Sequence, residues 1–352
     1  MHILVVDVGM GTNDVLFWDS VARGENQIHL IVPSATKVVA GEIREATRRG
    51  LPVVFRGALM GGGPSTAAMS DHLATGLPFY ADPGAARTFS DDLHEVADMG
   101  VRIVEEAEAA ALAAGRAVDV RSGDLRASDL LEALRLLGVR RVPDGYAIAV
   151  QDHGEAPPGV SDRVFRFERL VELFSPDGRL ERLFFEPAAI PAWFTRMKAA
   201  AGCLPADAPC VVGDTGPSAL WGAALAAEGR DCLAVNYGNG HTIASFIRGD
   251  AVDGLFEHHT GKVGRESMAD YLRRFAQGTL ASEEVLADDG HGVWSPSAPV
   301  DLGELPVMVT GPNRARFSGA VPREVEASMH GDMMLSGCWG LLEGYKARFG
   351  LD

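Results

Sequence analysis

A turn with two glycines joins two apolar runs at the start of the chain. Residues 3–6 are apolar and lead into Asp7, and residues 15–18 form the second run after Gly9 and Gly11. Two β-rich runs joined in this way are typical of a β-hairpin. Glycines allow backbone N–H groups to turn toward an anion, and a carboxylate at a strand end can order a cation through water. The stretch predicts either a phosphate loop in which Asp7 orders magnesium or an ordinary hairpin with a solvated aspartate.

Two other phosphate motifs do not fit this stretch. The dinucleotide-binding fingerprint needs a helix after its glycines, whereas residues 15–18 continue as a strand. The P-loop needs a Gly-Lys-Ser/Thr sequence, and none follows these glycines. The hairpin interpretation is therefore retained.

The second half of the chain repeats the same pattern. Residues 232–235 predict a strand, residues 236–242 (Asn-Tyr-Gly-Asn-Gly-His-Thr) predict a turn, and residues 243–247 predict the returning strand. Two phosphate-type hairpins, one in each half, are a more specific signal than either hairpin alone.

Polar residues also follow other predicted strands, as in many α/β active sites. The strand at 146–150 ends in Gln151-Asp152-His153, and the strand at 210–212 ends in Gly213-Asp214 before a helix of small residues. Asp214 is either a cleft-facing base or a cap of that helix. The loop at residues 61–63, followed by Pro64 and Ser65, is either an anion or substrate loop at a helix N-terminus or a plain connector.

Together these segments resemble the superfamily of acetate and sugar kinases, heat-shock proteins and actin. Residues 7–12 resemble its first phosphate motif, and residues 236–242 resemble its second. Gly213-Asp214 is similar to the segment of carbohydrate kinases whose aspartate is the general base. Residues 151–154 are similar to the Gln-x-His-Gly segment of their substrate domain, and residues 307–313 resemble the adenosine motif.

The resemblance implies ATP and Mg²⁺ as cofactors and assigns roles to individual residues. The implied nucleotide-binding residues are Gly9, Gly11, Thr12, Asn13, Gly238, Asn239, Gly240, His241, Thr242 and Gly311. The implied catalytic residues are Asp214, Asp7 and Asp152, with Asp214 as the proton acceptor and with Asp7 and Asp214 at the magnesium. The implied substrate-binding residues are Gly62, Gly63, Ser65, Gln151 and His153.

The motif set is also similar to a family within this superfamily that is sometimes labelled as related to pyruvate formate-lyase activating enzyme. The segments that carry this likeness are DVGMGTND, QDHG, NYGNGHT, EHHTG and GDMMLSGCWGLL. That label implies radical chemistry, which needs a cysteine triad. The four cysteines show no such spacing, so the radical chemistry is not carried over.

The sequence departs from the superfamily pattern at two positions. Asn236 stands where actin-like members carry an acid, and residues 310–314 lack the run of glycines that usually seats adenine. Both departures leave the identity of the nucleotide open.

Histidines are frequent near the motifs. Besides His153 and His241, the chain has the adjacent pair His258 and His259. Because adjacent residues of a strand point to opposite faces, we expect only one of the pair to join His241. Histidines can bind a transition metal, transfer protons or hydrogen-bond in a core, and the sequence leaves these alternatives open.

Composition narrows the classes of partner. The net charge of −16 disfavours nucleic acid and anionic membranes. No apolar run is long enough for a membrane span, and the N-terminus enters a strand rather than a signal peptide. Scattered cysteines indicate reduced thiols and hence a cytoplasmic protein. The expected partners are a nucleotide and a small molecule, and the oligomeric state is open, a homodimer included.

A length of 352 residues suggests two domains, which we expect at residues 1–190 and 191–352. The resemblance implies an α/β, two-domain actin-like ATPase (ribonuclease H-like) fold with a nucleotide cleft between the domains. The expected function is an ATP-dependent phosphotransferase acting on a small metabolite. The alternatives are an ATP-driven, metal-assisted transferase or activator and a nucleotide-gated regulatory protein without turnover.

Overall fold

The computed structural model describes residues 1–351, which form a mixed α/β structure with three sheets. In chain order the strands are β1 (His2–Val8), β2 (Thr12–Asp19), β3 (Ile28–Pro33), β4 (Val53–Gly57), β5 (Phe79–Ala81), β6 (Arg102–Ile103), β7 (Val118–Ser122), β8 (Gly145–Val150), β9 (Phe184–Phe185), β10 (Cys210–Gly213), β11 (Cys232–Tyr237), β12 (His241–Arg248), β13 (Ala251–His259), β14 (Gly290–Trp294), β15 (Val307–Thr310) and β16 (Glu324–Glu326). The predicted α/β class is confirmed.

The α-helices are α1 (Ala35–Arg48), α2 (Pro64–Ala74), α3 (Pro83–Ala86), α4 (Leu93–Asp98), α5 (Glu106–Ala113), α6 (Ala127–Leu136), α7 (Asp162–Phe174), α8 (Thr195–Ala201), α9 (Thr215–Leu225), α10 (Arg265–Ala276), α11 (Ser282–Ala287), α12 (Arg314–Phe317) and α13 (Ser336–Phe349). Short 3-10 turns lie at Gly24–Asn26, Leu180–Leu183, Pro187–Ala189, Met329–Gly331 and Met333–Leu335. Within residues 1–351, no helix has the length and hydrophobicity that a bilayer crossing requires.

The first sheet has the strand order β3-β2-β1-β8-β10-β9. Strands β1, β2 and β3 form an antiparallel meander, and β8 and β10 continue the sheet parallel to β1. Asp7, Gln151 and Asp214 lie at the carboxyl ends of these parallel strands. They therefore meet at one edge, where the sites of α/β proteins form.

The second sheet repeats this plan with the order β14-β13-β12-β11-β15-β16. Here β11, β12 and β13 form the antiparallel meander, and β15 and β16 follow in parallel. The two predicted hairpins are β1–β2 and β11–β12, at corresponding positions of the two sheets. The recurrence that the sequence predicted is present in the fold.

A third sheet, with the order β6-β5-β4-β7, is parallel throughout and lies between β3 and β8 in the chain. Its core is separate and includes Phe55 and Phe79. This insertion carries the glycine loop at residues 61–63, which follows β4.

One hydrophobic core joins the first two sheets. Val6 and Ile148 of the first sheet share it with Ala234 and Ile243 of the second, and α9 contributes Leu220. On its other side the first sheet is covered by α13, which packs against β1. Because moving the sheets apart would expose this apolar core to water, the shared core holds the two sheets together.

The first sheet draws its strands from both sides of residue 190. β10 pairs with β8, and α13 packs on the same sheet, so the expected division at residue 190 does not coincide with a boundary between sheets. Sequence order does not reveal which strand a parallel strand will pair with. The stretch between β8 and β10 contains α7, with Arg166 and Phe167 on its buried face.

The crossing of α9 and α13 yields a prediction. A Cβ on Gly340 would overlap the backbone carbonyl of Ser218, so Gly340→Ala should destabilise the protein by about 1–3 kcal/mol through overpacking. Gly41 in α1 has no atom near its Cβ position, and Gly41→Ala should instead be neutral or stabilising by up to about 1 kcal/mol. Urea unfolding of both variants measures the difference, and equal effects would contradict this close crossing.

Candidate functional site

A cavity of about 220 Å³ lies between the first and second sheets. It is lined by the N-terminal hairpin (residues 7–12), the C-terminal hairpin (residues 236–242), the loop at 61–63 and the segment at 310–312. The predicted nucleotide-binding and substrate-binding segments therefore open into one space.

The two hairpins close in the same way. The N–H of Gly9 donates to the carbonyl of Thr12 at 2.9 Å, and the N–H of Gly238 donates to the carbonyl of His241 at 3.0 Å. The hairpins also contact each other, because a Cβ on Gly11 would overlap the side-chain amide of Asn239. Glycine at residue 11 thus permits their close approach.

Two buried carboxylates lie beside the N-terminal hairpin. Asp7 and Asp14 are directly opposite each other in the β1–β2 ladder, and one oxygen of each is buried without a hydrogen-bond partner. Burial, followed by the charge of Asp14, raises the pKa of Asp7 well above its usual range. Burial also raises the pKa of Asp14 to about 6. Paired carboxylates with open oxygens are ligands that suit a hard divalent cation such as Mg²⁺.

A buried guanidinium connects the two sheets. Arg166 is 1% exposed and donates to both oxygens of Asp214, at 2.6 and 2.9 Å, and to both oxygens of Glu257, at 3.1 and 3.2 Å. Burial opposes its charge, but Asp214 and Glu257 outweigh burial and raise the pKa of Arg166. Arg166 therefore stays charged and holds both carboxylates in place.

Glu257 in turn orients His241. Nδ1 of His241 lies 3.0 Å from Oε1 of Glu257 and 2.6 Å from the side-chain nitrogen of Gln151. Burial would raise the pKa of Glu257, but Arg166, His291 and His241 hold that pKa well below its usual range. Because a carboxylate only accepts, the tautomer of His241 with a proton on Nδ1 donates to Glu257 and leaves Nε2 without a proton, whereas the other tautomer accepts at Nδ1 from the Gln151 nitrogen.

Four histidine rings form what we call the histidine cluster: His153, His241, His259 and His291. The ring nitrogens of His153, His241 and His291 lie within 4.8 Å of one another. His291 is 1% exposed, and neither of its ring nitrogens has a hydrogen-bond partner. Burial lowers the pKa of His291 to about 3 and the pKa of His153 well below its usual range.

The β12–β13 register separates the adjacent pair of histidines, as predicted. His259 is opposite His241, and their ring centroids lie 4.7 Å apart. His258 points to the other face, where its ring lies 5.7 Å from that of Tyr271. The metal-binding expectation for His258 is therefore not supported by its position.

The glycine loop is held by Asp124, which follows β7 of the third sheet. Asp124 accepts from the N–H of Gly61 at 3.0 Å and from Arg196 at 2.8 and 2.9 Å. Arg196 also lines the cavity. Ser65 is buried and bonds to Thr36 and to the carbonyl of Gly62, so it shapes the loop from behind.

Two of the three predicted catalytic aspartates use their carboxylate oxygens in hydrogen bonds with other groups of the protein. Asp152 is 2% exposed and accepts from the N–H groups of Gly154 and Met197, each at 2.8 Å. Asp214 is 0% exposed, pairs with Arg166 and caps α9 by accepting from Gly216 at 3.0 Å. Of the three, only Asp7 lines the cavity. The role of Asp214 as a general base stays a prediction. The hydrogen bonds of Asp214 match the alternative, a cap of α9.

The predicted residues divide into two groups. Those that line the cavity are Asp7, Gly9, Thr12, Gly62, Gly63, Gln151, His153, Gly238, Asn239, Gly240, His241 and Gly311. Those that lie behind or beside the lining are Gly11, Asn13, Ser65, Asp152, Asp214, Thr242, His258 and His259.

Sequence reasoning missed several residues of the site, among them Asp14, Arg166, Glu257 and His291. Asp14 follows the polar residues Thr12 and Asn13 and resembled a turn residue. Arg166 is hidden in a helix that was not predicted, and Glu257 directly precedes the adjacent histidine pair. His291 stands between two glycines, and a Cβ on Gly290 or Gly292 would crowd neighbouring side chains. That Gly-His-Gly pattern was a usable signal of close packing around a histidine.

Residues 60–316 match the model of the family described as "Putative pyruvate format-lyase activating enzyme (DUF1786)". The chain belongs to that family. Among curated proteins, none matches.

Two solved structures are similar to the chain at low levels. The nucleotide-free structure of an acetone carboxylase, from work on ATP-dependent acetone carboxylation, is 9% identical with a TM-score of 0.23, over 72% of this chain and 45% of that one. An exopolyphosphatase-like protein is 12% identical with a TM-score of 0.20, over 88% of this chain and 65% of that one. The chain thus covers less than two thirds of either structure's length, and likenesses at this level carry no argument about activity.

The Arg166 network yields a second prediction. Asp214→Asn leaves the guanidinium with Glu257 as its remaining carboxylate, and breaking such a buried pair costs about 3–5 kcal/mol. The matched control is Asp177→Asn, which breaks the exposed pair with Arg182 and should have a much smaller effect because water screens it. Thermal unfolding measures both. If Asp214→Asn were as stable as the wild type but lost turnover, a general base would be the better interpretation.

Proposed function

We propose that this protein is an ATP-dependent phosphotransferase of the actin-like, two-domain type, acting on a small metabolite. The observation that carries the proposal is the pair of glycine hairpins. They occupy corresponding positions in two sheets of the same strand order and face one cavity. In this proposal the first domain includes β10 and α13, and the second is built on β11–β16.

The hairpins are suited to hold phosphates. Each closes through a glycine N–H, and glycines at 9, 238 and 240 keep the backbone open to a ligand in the cavity. Backbone N–H groups supply local positive potential, which a chain of net charge −16 needs in order to bind an anionic nucleotide. Phosphoryl transfer depends mostly on positioning and charge neutralisation, which such a cradle provides.

Asp7 and Asp14 are the proposed magnesium site. Each has a buried oxygen without a hydrogen-bond partner, and a metal bound there would neutralise the two carboxylates together with the phosphates. The N-terminal end of α13 lies beside Asp7, because a Cβ on Gly337 would overlap its carboxylate. That end of a helix carries partial positive charge and favours an anion.

The substrate end of the cavity is proposed at Gln151, His153 and the loop at 61–63. Arg196 presents a charged side chain there and is held by Asp124, so an anionic or hydroxylated metabolite fits the lining. Asp214 can serve as the proton acceptor only if Arg166 releases it. All four cysteines are free, and we do not propose the radical chemistry that the family's description suggests.

A second candidate is an ATP-driven, metal-assisted transferase or activator. The histidine cluster favours it, because His291 is buried with no protein partner for either nitrogen. Turnover of ATP with a panel of metabolites, with and without added zinc, separates the two candidates. Nucleotide binding without turnover would identify a regulatory protein, and absence of nucleotide binding in calorimetry would remove all three.

The variant Asp7→Asn provides a sharp test. Burial and Asp14 raise the pKa of Asp7, so ionisation of this carboxyl group at neutral pH favours the unfolded chain, and its removal should stabilise the ligand-free protein by about 0.5–2 kcal/mol. The same change should lower ATP turnover by about 10²–10³-fold, the loss typical of one preorganised electrostatic contact. Asp207→Asn, in an exposed loop, is the control and should change neither quantity. Unfolding without ligand and steady-state turnover are measured in parallel, and undiminished turnover in Asp7→Asn would exclude the assigned magnesium role.

A further inference from the structure

We propose that His153, His241 and His291 bind a divalent transition metal, zinc being the best fit, and that this metal links the two sheets. This site is separate from the Asp7–Asp14 pair and does not depend on phosphotransfer. Nothing in the family's description or in the similar structures assigns it.

The geometry of the three rings carries the proposal. Their nitrogens lie within 4.8 Å of one another. Zinc–imidazole bonds of about 2.0–2.1 Å in tetrahedral geometry place the nitrogens ~3.4 Å apart. A small rotation of the side chains therefore closes the site without backbone movement.

The unpartnered state of His291 is an independent observation. A buried imidazole normally has a hydrogen-bond partner, and leaving one without any costs free energy. His291 is 1% exposed with both nitrogens free, and it is packed between two glycines that admit no side chain. A metal bound to one ring nitrogen of His291 would supply a missing partner.

The surroundings provide an outer shell. In the tautomer that donates its Nδ1–H to Glu257, at 3.0 Å, Nε2 of His241 is left as the ligand atom. Carboxylate partners of this kind orient metal-binding histidines. Arg166 carries one positive charge against two negative charges on Glu257 and Asp214, so the network beside the rings is net negative and favours a cation.

The ligands come from different parts of the fold. His153 follows β8 of the first sheet, whereas His241 begins β12 and His291 lies in β14 of the second. The metal would therefore connect the two sheets. Three protein ligands leave one position open, and His153 and His241 line the cavity, which is the arrangement of a catalytic rather than a structural zinc site.

The test uses the untagged full-length chain, stripped with a chelator and titrated with Co²⁺. We expect visible absorption bands of a tetrahedral type that saturate at a single equivalent and disappear on adding Zn²⁺. We also expect Zn²⁺ to raise the unfolding temperature of the wild type. Absence of the bands in the folded wild type would overturn the proposal.

Variants locate the site. His291→Ala should weaken Co²⁺ binding by more than about tenfold, the smallest loss usual even for outer-shell partners. His94→Ala, at an exposed position of α4, is the matched control and should bind as the wild type does. If His291→Ala does not fold, the loss of Co²⁺ affinity is measured in His153→Asn instead. Unchanged Co²⁺ affinity in whichever of the two variants folds overturns the assignment. ATP binding is measured separately with Mg²⁺ and without any transition metal, so a failure of the proposed phosphotransferase is not confused with a failure of this site.

Discussion

The buried charge of Arg166 is the constraint on which the site depends. An isolated guanidinium in the interior is very costly, so its position requires carboxylates on both sides. Asp214 comes from the end of β10 in the first sheet and Glu257 from β13 in the second. The same interaction therefore fixes the distance between the sheets, the cap of α9 and, through Glu257, the orientation of His241.

Near this network, several buried polar groups lack hydrogen-bond partners. Asp7, Asp14 and His291 each have a buried polar atom of this kind, which lowers the stability of the folded protein. Groups of this kind persist where a ligand repays the cost, and they concentrate at functional sites. The contrast with Asp152 and Asp214, whose oxygens are all engaged, distinguishes residues that can bind a ligand from residues that hold the structure.

The two groups of candidate ligands differ in chemistry. The carboxylates of Asp7 and Asp14 lie on β1 and β2, and the imidazoles of His241 and His291 lie on β12 and β14. Hard cations such as Mg²⁺ prefer oxygen ligands, whereas imidazole suits zinc and its neighbours. The two groups therefore suit different cations.

The sequence by itself determined the features that depend on neighbouring residues. It predicted the hairpins at 7–12 and 236–242 and the opposite faces of His258 and His259. These follow from turn chemistry and from the two-residue period of a strand. Only the tertiary structure decided that β10 joins the first sheet, that Arg166 pairs with Asp214, and that His291 belongs to the histidine cluster. Those contacts join residues far apart in the chain, and strand pairing and packing, which local sequence does not encode, select them.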